Sequence, residues 1–390
     1  MQEKLFNRYF ILIWFGALCL LLIHNTMCAA IPLYLEALGF STSFSGLLGI
    51  PFAILGILSR ILGGCLMDRF SRRLAMIVGI LLMGMASLFF GLFPSAILMI
   101  LFRGLHGAGF SLGQTAFSTA NVDVTPKDKG SLGIGIFWIS TALSLACTGY
   151  IIQSLSHDGD YGHVFLFCFF VGLLGIVLSF FCTYEKKYSG GQCAAPGEKG
   201  RGMRLFFEPA AFKPAVIEFF VMLGVACCNI FILTFAASQG YNHASAFLLI
   251  AAITMAVSNL TADKLIRCFG ARNVLGFTMA ISGMLIALIA LVPCEATYCL
   301  GGIGFGMSQG FSFPVLTVLT VEGVPHNRLG TANSTMLMTG DIGMGIGTFL
   351  WGAVIDSAGY LTAYTLSGFC ILLSGLITFF FYMKKQSVRI

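Results

Sequence analysis

Charge is the scarcest thing in this sequence. Of its 390 residues only 10% are Asp, Glu, Lys or Arg, against 57% that are hydrophobic. A water-soluble domain carries about 25% charged residues, so this chain has too few to hydrate its own surface. That excludes a soluble enzyme, and it removes nucleic acid as a partner even though the formal net charge is +6. Other absences narrow the class further. No Gly-Lys-Ser/Thr phosphate loop is present, which argues against ATP as the energy source. The 13 cysteines show no metal-ligand spacing. Cys19, Cys28, Cys147, Cys168 and Cys370 fall inside apolar runs and read as small packing residues. Cys294 and Cys299 stand near one turn, close enough to pair, with free thiols the expected state. No loop is large enough for a soluble catalytic domain, and no paired acids mark a catalytic site within the apolar runs, so the chain is not expected to be an enzyme.

What is present is a series of long apolar runs. Crossing a hydrocarbon core of about 30 Å takes about 20 residues of helix. Twelve runs meet that length: 9–34, 44–67, 74–94, 97–120, 131–154, 162–184, 212–238, 244–262, 273–293, 296–320, 330–354 and 360–383. The first is too long for a secretory signal, whose apolar core is about 7–15 residues, and reads as an uncleaved span. The loops test the count. Those at 68–73, 121–130, 185–211, 263–272 and 321–329, with both termini, hold nearly every Lys and Arg. The alternating loops at 35–43, 155–161, 239–243, 294–295 and 355–359 hold none, but carry Glu36, Asp158, Asp160, Glu295 and Asp356. Basic loops stay on the cytoplasmic side, which places both termini there.

The chain also repeats. Thr125-Pro126 ahead of Gly130 corresponds to Val324-Pro325 ahead of Gly330, and Gly39 to Gly240, at an offset of about 200 residues. The polar stretch 185–211 reads as a linker between the halves 1–184 and 212–390. The expected fold is therefore all-α and integral to the membrane: twelve transmembrane helices in two pseudo-symmetric six-helix bundles. Parallel repeats of this kind hold substrate near the midplane between the halves.

Two motifs carry a family resemblance. Between the second and third spans lies GGCLMDRFSRR, in which Gly64-x-Leu66-x-Asp68-Arg69-x-x-Arg72-Arg73 resembles the cytoplasmic signature of the major facilitator superfamily. Ser71 stands where that family usually has Gly, which leaves the turn less tight. In the fourth span, Arg103, Gly107 and Gly109 of FRGLHGAGFSLGQ resemble its R-x-x-x-G-x-G signature. The resemblance covers essentially the whole chain. It implies a monomeric transporter working by alternating access without a cofactor, driven by the proton gradient. It implies a cytoplasmic gate at Gly64, Asp68, Arg69, Arg72 and Arg73 that latches the two halves. It also implies that spans one, four, seven and ten surround the central cavity. One family feature is missing: span five, ISTALSLACTGYI, lacks the Gly-Pro pair carried by drug/proton antiporters.

An ionisable group in the bilayer costs about 2.5–3.5 kcal/mol on insertion scales and needs a partner or a task. Asp341, in the TGDIGMGIG run of span eleven, is either a proton carrier or a hydrogen-bonding group in an interface that Gly343 and Gly347 allow to close. Glu218, in the cytoplasmic third of span seven, is a second proton candidate, at a depth where hydration is expected. His24 is a third. By resemblance Arg103 favours the ionised state of an acid or holds an anionic substrate, and His106 lies one turn from it. Asn25, Gln114, Asn229, Ser308 and Gln309 complete an expected cavity lining that is polar, aromatic-poor and lightly charged.

The expected function is proton-coupled transport of a small molecule across a bacterial plasma membrane, as an exporter of a drug or metabolite by antiport. A proton symporter importing a small polar or anionic solute, with Arg103 as counter-ion, is the alternative. A non-transporting sensor on the same scaffold is a third reading, which the short loops oppose.

Overall fold

A computed structural model describes residues 5–69, 71–126, 129–156, 160–185, 208–321, 324 and 329–382. Among these residues the long elements are all helices: α1 (Arg8–Ala37), α2 (Thr42–Leu47), α3 (Gly49–Arg69), α4 (Arg72–Leu92), α5 (Ala96–Val124), α6 (Gly130–Leu155), α7 (Gly162–Phe180), α8 (Phe212–Gln239), α9 (Ala244–Phe269), α10 (Ala271–Leu291), α11 (Glu295–Val321) and α12 (Leu329–Phe381). Helix is forced on such a chain because lipid supplies no partner for backbone N–H and C=O groups.

Eleven of the described helical stretches are long and apolar enough to cross a membrane. The last of them, Thr335–Phe381, holds two of the sequence-predicted spans in 47 residues. At 1.5 Å per residue that stretch would exceed twice the hydrocarbon thickness if it were straight. It is not straight: Gly359 breaks it at φ 82°, ψ 167°, a conformation that only glycine adopts without strain. The same freedom ends α1 and α8, where Gly39 (φ 81°) and Gly240 (φ 66°) occupy equivalent places in the repeat.

Several of the basic connections are tighter than the sequence suggests. α9 continues to Phe269 and α10 starts at Ala271, so Asp263, Lys264 and Arg267 lie on the helix rather than in a loop. Likewise α3 runs to Arg69 and α4 starts at Arg72. Ser71 is the N-cap there, its hydroxyl accepting from the Leu74 N–H at 3.0 Å. A serine in place of the family's glycine therefore starts a helix rather than loosening the turn.

The helices group into two compact units, residues 1–41 with 47–196, and residues 42–46 with 197–390. In the first unit α5 packs on α3 and α4, and α1 packs on α5, α6 and α7. In the second, α11 packs on α9 and α10, and α8 packs on α12. The pairing in one unit repeats that in the other, which is the sequence repeat expressed as packing. Cys294 and Cys299 are both free thiols.

Contact between α8 and α12 is built on small residues. A Cβ placed at Gly343 would lie 2.5 Å from the Phe219 carbonyl oxygen, and one at Gly347 would lie 2.6 Å from that of Leu223. The Trp351 indole N–H donates to the same Leu223 carbonyl at 2.6 Å. We expect Gly347→Leu to destabilise the second unit by roughly 1–3 kcal/mol, the usual cost of overpacking. Thermal unfolding of the purified protein in detergent would register it as a lower melting temperature.

Candidate functional site

His24, Arg103 and His106 gather in the first unit, and Glu218 and Asp341 in the second. In the first unit the glycines of the fourth-span motif set the geometry. A Cβ at Gly107 would collide with the Phe52 carbonyl, and one at Gly109 would lie 2.6 Å from the Gly79 carbonyl. Removing both side chains lets α5 lie directly against α3 and α4. That approach delivers Arg103 and His106, three residues apart on α5, to the buried side of the helix at 5% and 0% exposure.

There the Arg103 guanidinium contacts three groups. Its Nη1 lies 3.0 Å from His106 Nδ1, and its Nη2 donates to the Cys28 thiol at 3.4 Å. Its carbon sits 4.6 Å from the centre of the Phe52 ring, a cation–π contact. His24, one turn before Cys28 on α1, lies flat on Phe110 with ring centres 3.7 Å apart. It is also 5.6 Å from the rings of both Phe52 and His106. Among the described residues no carboxylate pairs with Arg103. Two aromatic rings thus stand beside Arg103 and His24. Phe52 and Phe110 read as ordinary span residues, and nothing local in the sequence marks them as neighbours of His24 and Arg103.

In the second unit, Glu218 on α8 is 3% exposed, and its Oε2 has no hydrogen-bond partner. The expected hydration of this residue is not seen, because α12 covers it. Gly340 lies against the Glu218 side chain, with a Cβ there 3.1 Å from Cγ and 3.3 Å from Oε1. The next residue is Asp341, half-buried and close enough to act on Glu218 through its charge. Two of the three proton candidates thus share one site, and His24 belongs to the other.

The remaining predicted residues divide. Asn25 donates to the Ser144 hydroxyl of α6 at 2.6 Å, and Ser308 donates to the Phe305 carbonyl in its own helix at 2.8 Å. Both are structural hydrogen bonds. Gln114, Asn229 and Gln309 are half-buried. Of the proposed gate, Gly64, Asp68 and Arg69 lie on the end of α3 with side chains outside the described residues. Arg72 forms an ion pair with Asp123 at 2.7 Å, and its N–H donates to the Glu185 carboxylate at 2.6 Å. Arg73 stacks on Phe180 at 4.5 Å. Those contacts tie α4 to α5 and to the end of α7 within the first unit. Tyr184 also donates to Asp123, at 3.1 Å. Burial first, then the Asp123 charge beside it, holds the Tyr184 hydroxyl above its ordinary range.

Membrane-spanning helices in two repeated units, with a few buried ionisable groups and short connections, define a multi-pass transporter scaffold. The family model of the Major Facilitator Superfamily matches residues 13–249 and 215–389. The chain belongs to that superfamily, and it is a membrane transporter rather than an enzyme. As such it acts on a small-molecule substrate within a lipid bilayer. Similar proteins include an uncharacterized MFS-type transporter of Methanocaldococcus jannaschii, 23% identical over 96% of this chain and 98% of that one. Multidrug resistance protein 1 of Bacillus subtilis is 24% identical over 83% of this chain and 84% of its own. Quinolone resistance protein NorA of Staphylococcus aureus is 21% identical over 90% of each. Among solved structures, the nucleoside transporter NupG superposes with a TM-score of 0.78 at 14% identity, covering 97% of this chain and all 100% of that one. The fucose:proton symporter FucP of E. coli superposes at 0.64 and 16% identity, covering 98% and 100%. At these identities the structural likeness concerns the fold.

Glu218 is buried beside Asp341 with one oxygen lacking a hydrogen-bond partner, an arrangement that costs stability rather than adding to it. We expect Glu218→Gln, which keeps the shape, to leave the melting temperature unchanged or higher. Gly340→Val, which drives a side chain into Glu218, should lower it. A marked loss of stability in Glu218→Gln would mean that the carboxylate anchors the helix pair.

Proposed function

We propose that this transporter couples substrate movement to protons, exporting a drug or metabolite from the cell by antiport. The observation that carries the reading is the Glu218–Asp341 pair. A buried carboxyl with a second, half-buried one beside it is repelled by its neighbour when both are ionised, so such a pair naturally holds a proton and releases it when the surroundings change. Gly340 and Gly343 keep the two helices close enough for the groups to act as one site. Export is supported by relatives named for multidrug and quinolone resistance. The reading places the protein in the plasma membrane as a monomer, with no cofactor and with both termini cytoplasmic.

The decisive experiment uses proteoliposomes containing a pH dye, with a quinolone added outside. Antiport carries the quinolone in and protons out, so the lumen turns alkaline; symport turns it acid. We expect an alkaline response in the wild type and none in Asp341→Asn or Glu218→Gln, with quinolone counterflow retained. Proton movement that survives in both variants would sink the assignment of the pair.

Orientation has its own test. Cys294 precedes α11 in a turn, and hydrogen bonding to Thr297 (Sγ to Oγ1, 3.4 Å) holds its thiol below the ordinary cysteine range. Cys268 is exposed near the end of α9. In intact cells a membrane-impermeant maleimide should label Cys294 and leave Cys268 unlabelled until the cells are opened. The reverse pattern would invert the topology.

A further inference from the structure

One arginine–phenylalanine pair occurs twice in this protein. Arg73 and Phe180 of the first half recur 199 positions later as Arg272 and Phe379. Each guanidinium lies over its ring, 4.5 Å from the ring centre in the first unit and 5.5 Å in the second. Each arginine is also the second residue of a helix, α4 or α10. That is a poor place for a cation, because a helix start already carries partial positive charge. In the first unit the chain's own groups answer it. Glu185 accepts from the Arg72 N–H at 2.6 Å, Ser71 accepts from the Leu74 N–H at 3.0 Å, and Asp123 pairs with Arg72. In the second unit Lys384 stands in the place of Glu185, Gly270 in that of Ser71 and Ala271 in that of Arg72. Glu322, the counterpart of Asp123, lies outside the described residues. The start of α10 has no side-chain cap, and among the described residues nothing accepts from the N–H groups of Ala271, Arg272 or Asn273. Nor does any carboxylate among them pair with Arg272, whose Nε has no partner. One copy of the repeat thus seats an anion at the helix start, and the other keeps the arginine and its ring without one.

The surroundings of Arg272 say what kind of anion fits. A Cβ at Gly276 would collide with the Phe379 ring, so that ring lies in the notch the glycine leaves, one turn along α10 from Arg272. Phe277 meets the same ring edge-on at 5.3 Å. Phe379 therefore joins the guanidinium to an apolar stripe. Phe277, Ile281 and Met284 follow one another down α10 at helical spacing, exposed at 62%, 47% and 60%. On a membrane-spanning helix such a stripe lies against acyl chains, and an arginine at its end reaches headgroup depth. Nearby, Lys264 and Arg267 outweigh Asp263 at the exposed end of α9, so the connection is net positive. We propose that Arg272, Phe379 and Phe277 form a binding site for an anionic phospholipid, its phosphate held by the Arg272 guanidinium in the field of the α10 start and an acyl chain laid along Ile281 and Met284. A guanidinium and a helix start both favour phosphate, which is why this pairing suits an anion and not a neutral headgroup. The site lies wholly in the second unit. It depends neither on proton coupling nor on the direction of transport.

Native mass spectrometry tests it without transport, by titrating lipid onto the purified protein in detergent and measuring the fraction that retains it. The probes are dioleoyl phosphatidylglycerol, dioleoyl phosphatidylcholine and inorganic phosphate. Phosphatidylglycerol should bind at least about tenfold more tightly than phosphatidylcholine, the worth of one charged hydrogen bond. Arg272→Gln should lose about that factor for phosphatidylglycerol alone. Arg272→Lys, which keeps the charge without the fork, should fall between the two and carries the test if Arg272→Gln fails to fold. Arg267→Gln removes an exposed charge whose Nε bonds within its own helix, and should bind as the wild type does. Phosphatidylglycerol should also raise the melting temperature of the wild type and not that of Arg272→Gln. Equal retention of the two lipids overturns the proposal, as does wild-type binding by both Arg272 variants. Equal loss in Arg267→Gln would mean that any basic surface serves, and displacement of the lipid by millimolar inorganic phosphate would mean that a free anion is the ligand; either result sinks the lipid assignment.

Discussion

Close approach of helices through missing side chains is the constraint on which both sites depend. In lipid, apolar side chains gain little by leaving one neighbour for another, so helices hold together by fit and by hydrogen bonds. Gly107 and Gly109 let α5 reach α3 and α4, and that contact buries Arg103 and His106. Gly340, Gly343 and Gly347 do the same for α12 against α8, and that contact buries Glu218. In each unit the polar group sits beside the glycine that made room for it.

The two units divide the labour by sign. The buried groups of the first are a guanidinium, imidazoles and a thiol; those of the second are carboxyls. Arg103, in the first, has no carboxylate partner among the described residues, unlike Arg72 at the end of α4, which meets Asp123. An ionisable group buried inside a membrane protein is costly to keep and marks a place where a proton or a charged solute can come and go.

Much of this was legible in the sequence, and what was hidden has a common cause. Span number and the repeat follow from apolar run length and from the alternation of basic loops, both one-dimensional properties. The fourth-span motif led to Arg103 and His106 because its residues are local in the chain. Cys28, Phe52 and Phe110 were missed as site residues because each looks like any other apolar residue in a span. Their importance lies in being opposite Arg103 or His24, which only packing decides. Glu218 was misjudged for a related reason. Its depth along α8 predicts hydration, but α12, more than a hundred residues later, covers it. Asn25 donates to Ser144; a polar residue in a span does not announce which neighbour it is paired with.

The late arrival of α12 has a consequence for how the chain is made. Glu218 enters the membrane with α8, whereas the helix that shields it contains Gly340 and Asp341. At about 5–20 residues per second, the ribosome takes roughly 6–25 s to travel from one to the other. Over that interval α8 must stay inserted on the strength of its own apolar residues, with the Glu218 carboxyl facing lipid or the insertion machinery and the Leu223 carbonyl still waiting for Trp351. The apolar character of α8 on every other side is thus a requirement of biosynthesis as much as of the finished bundle.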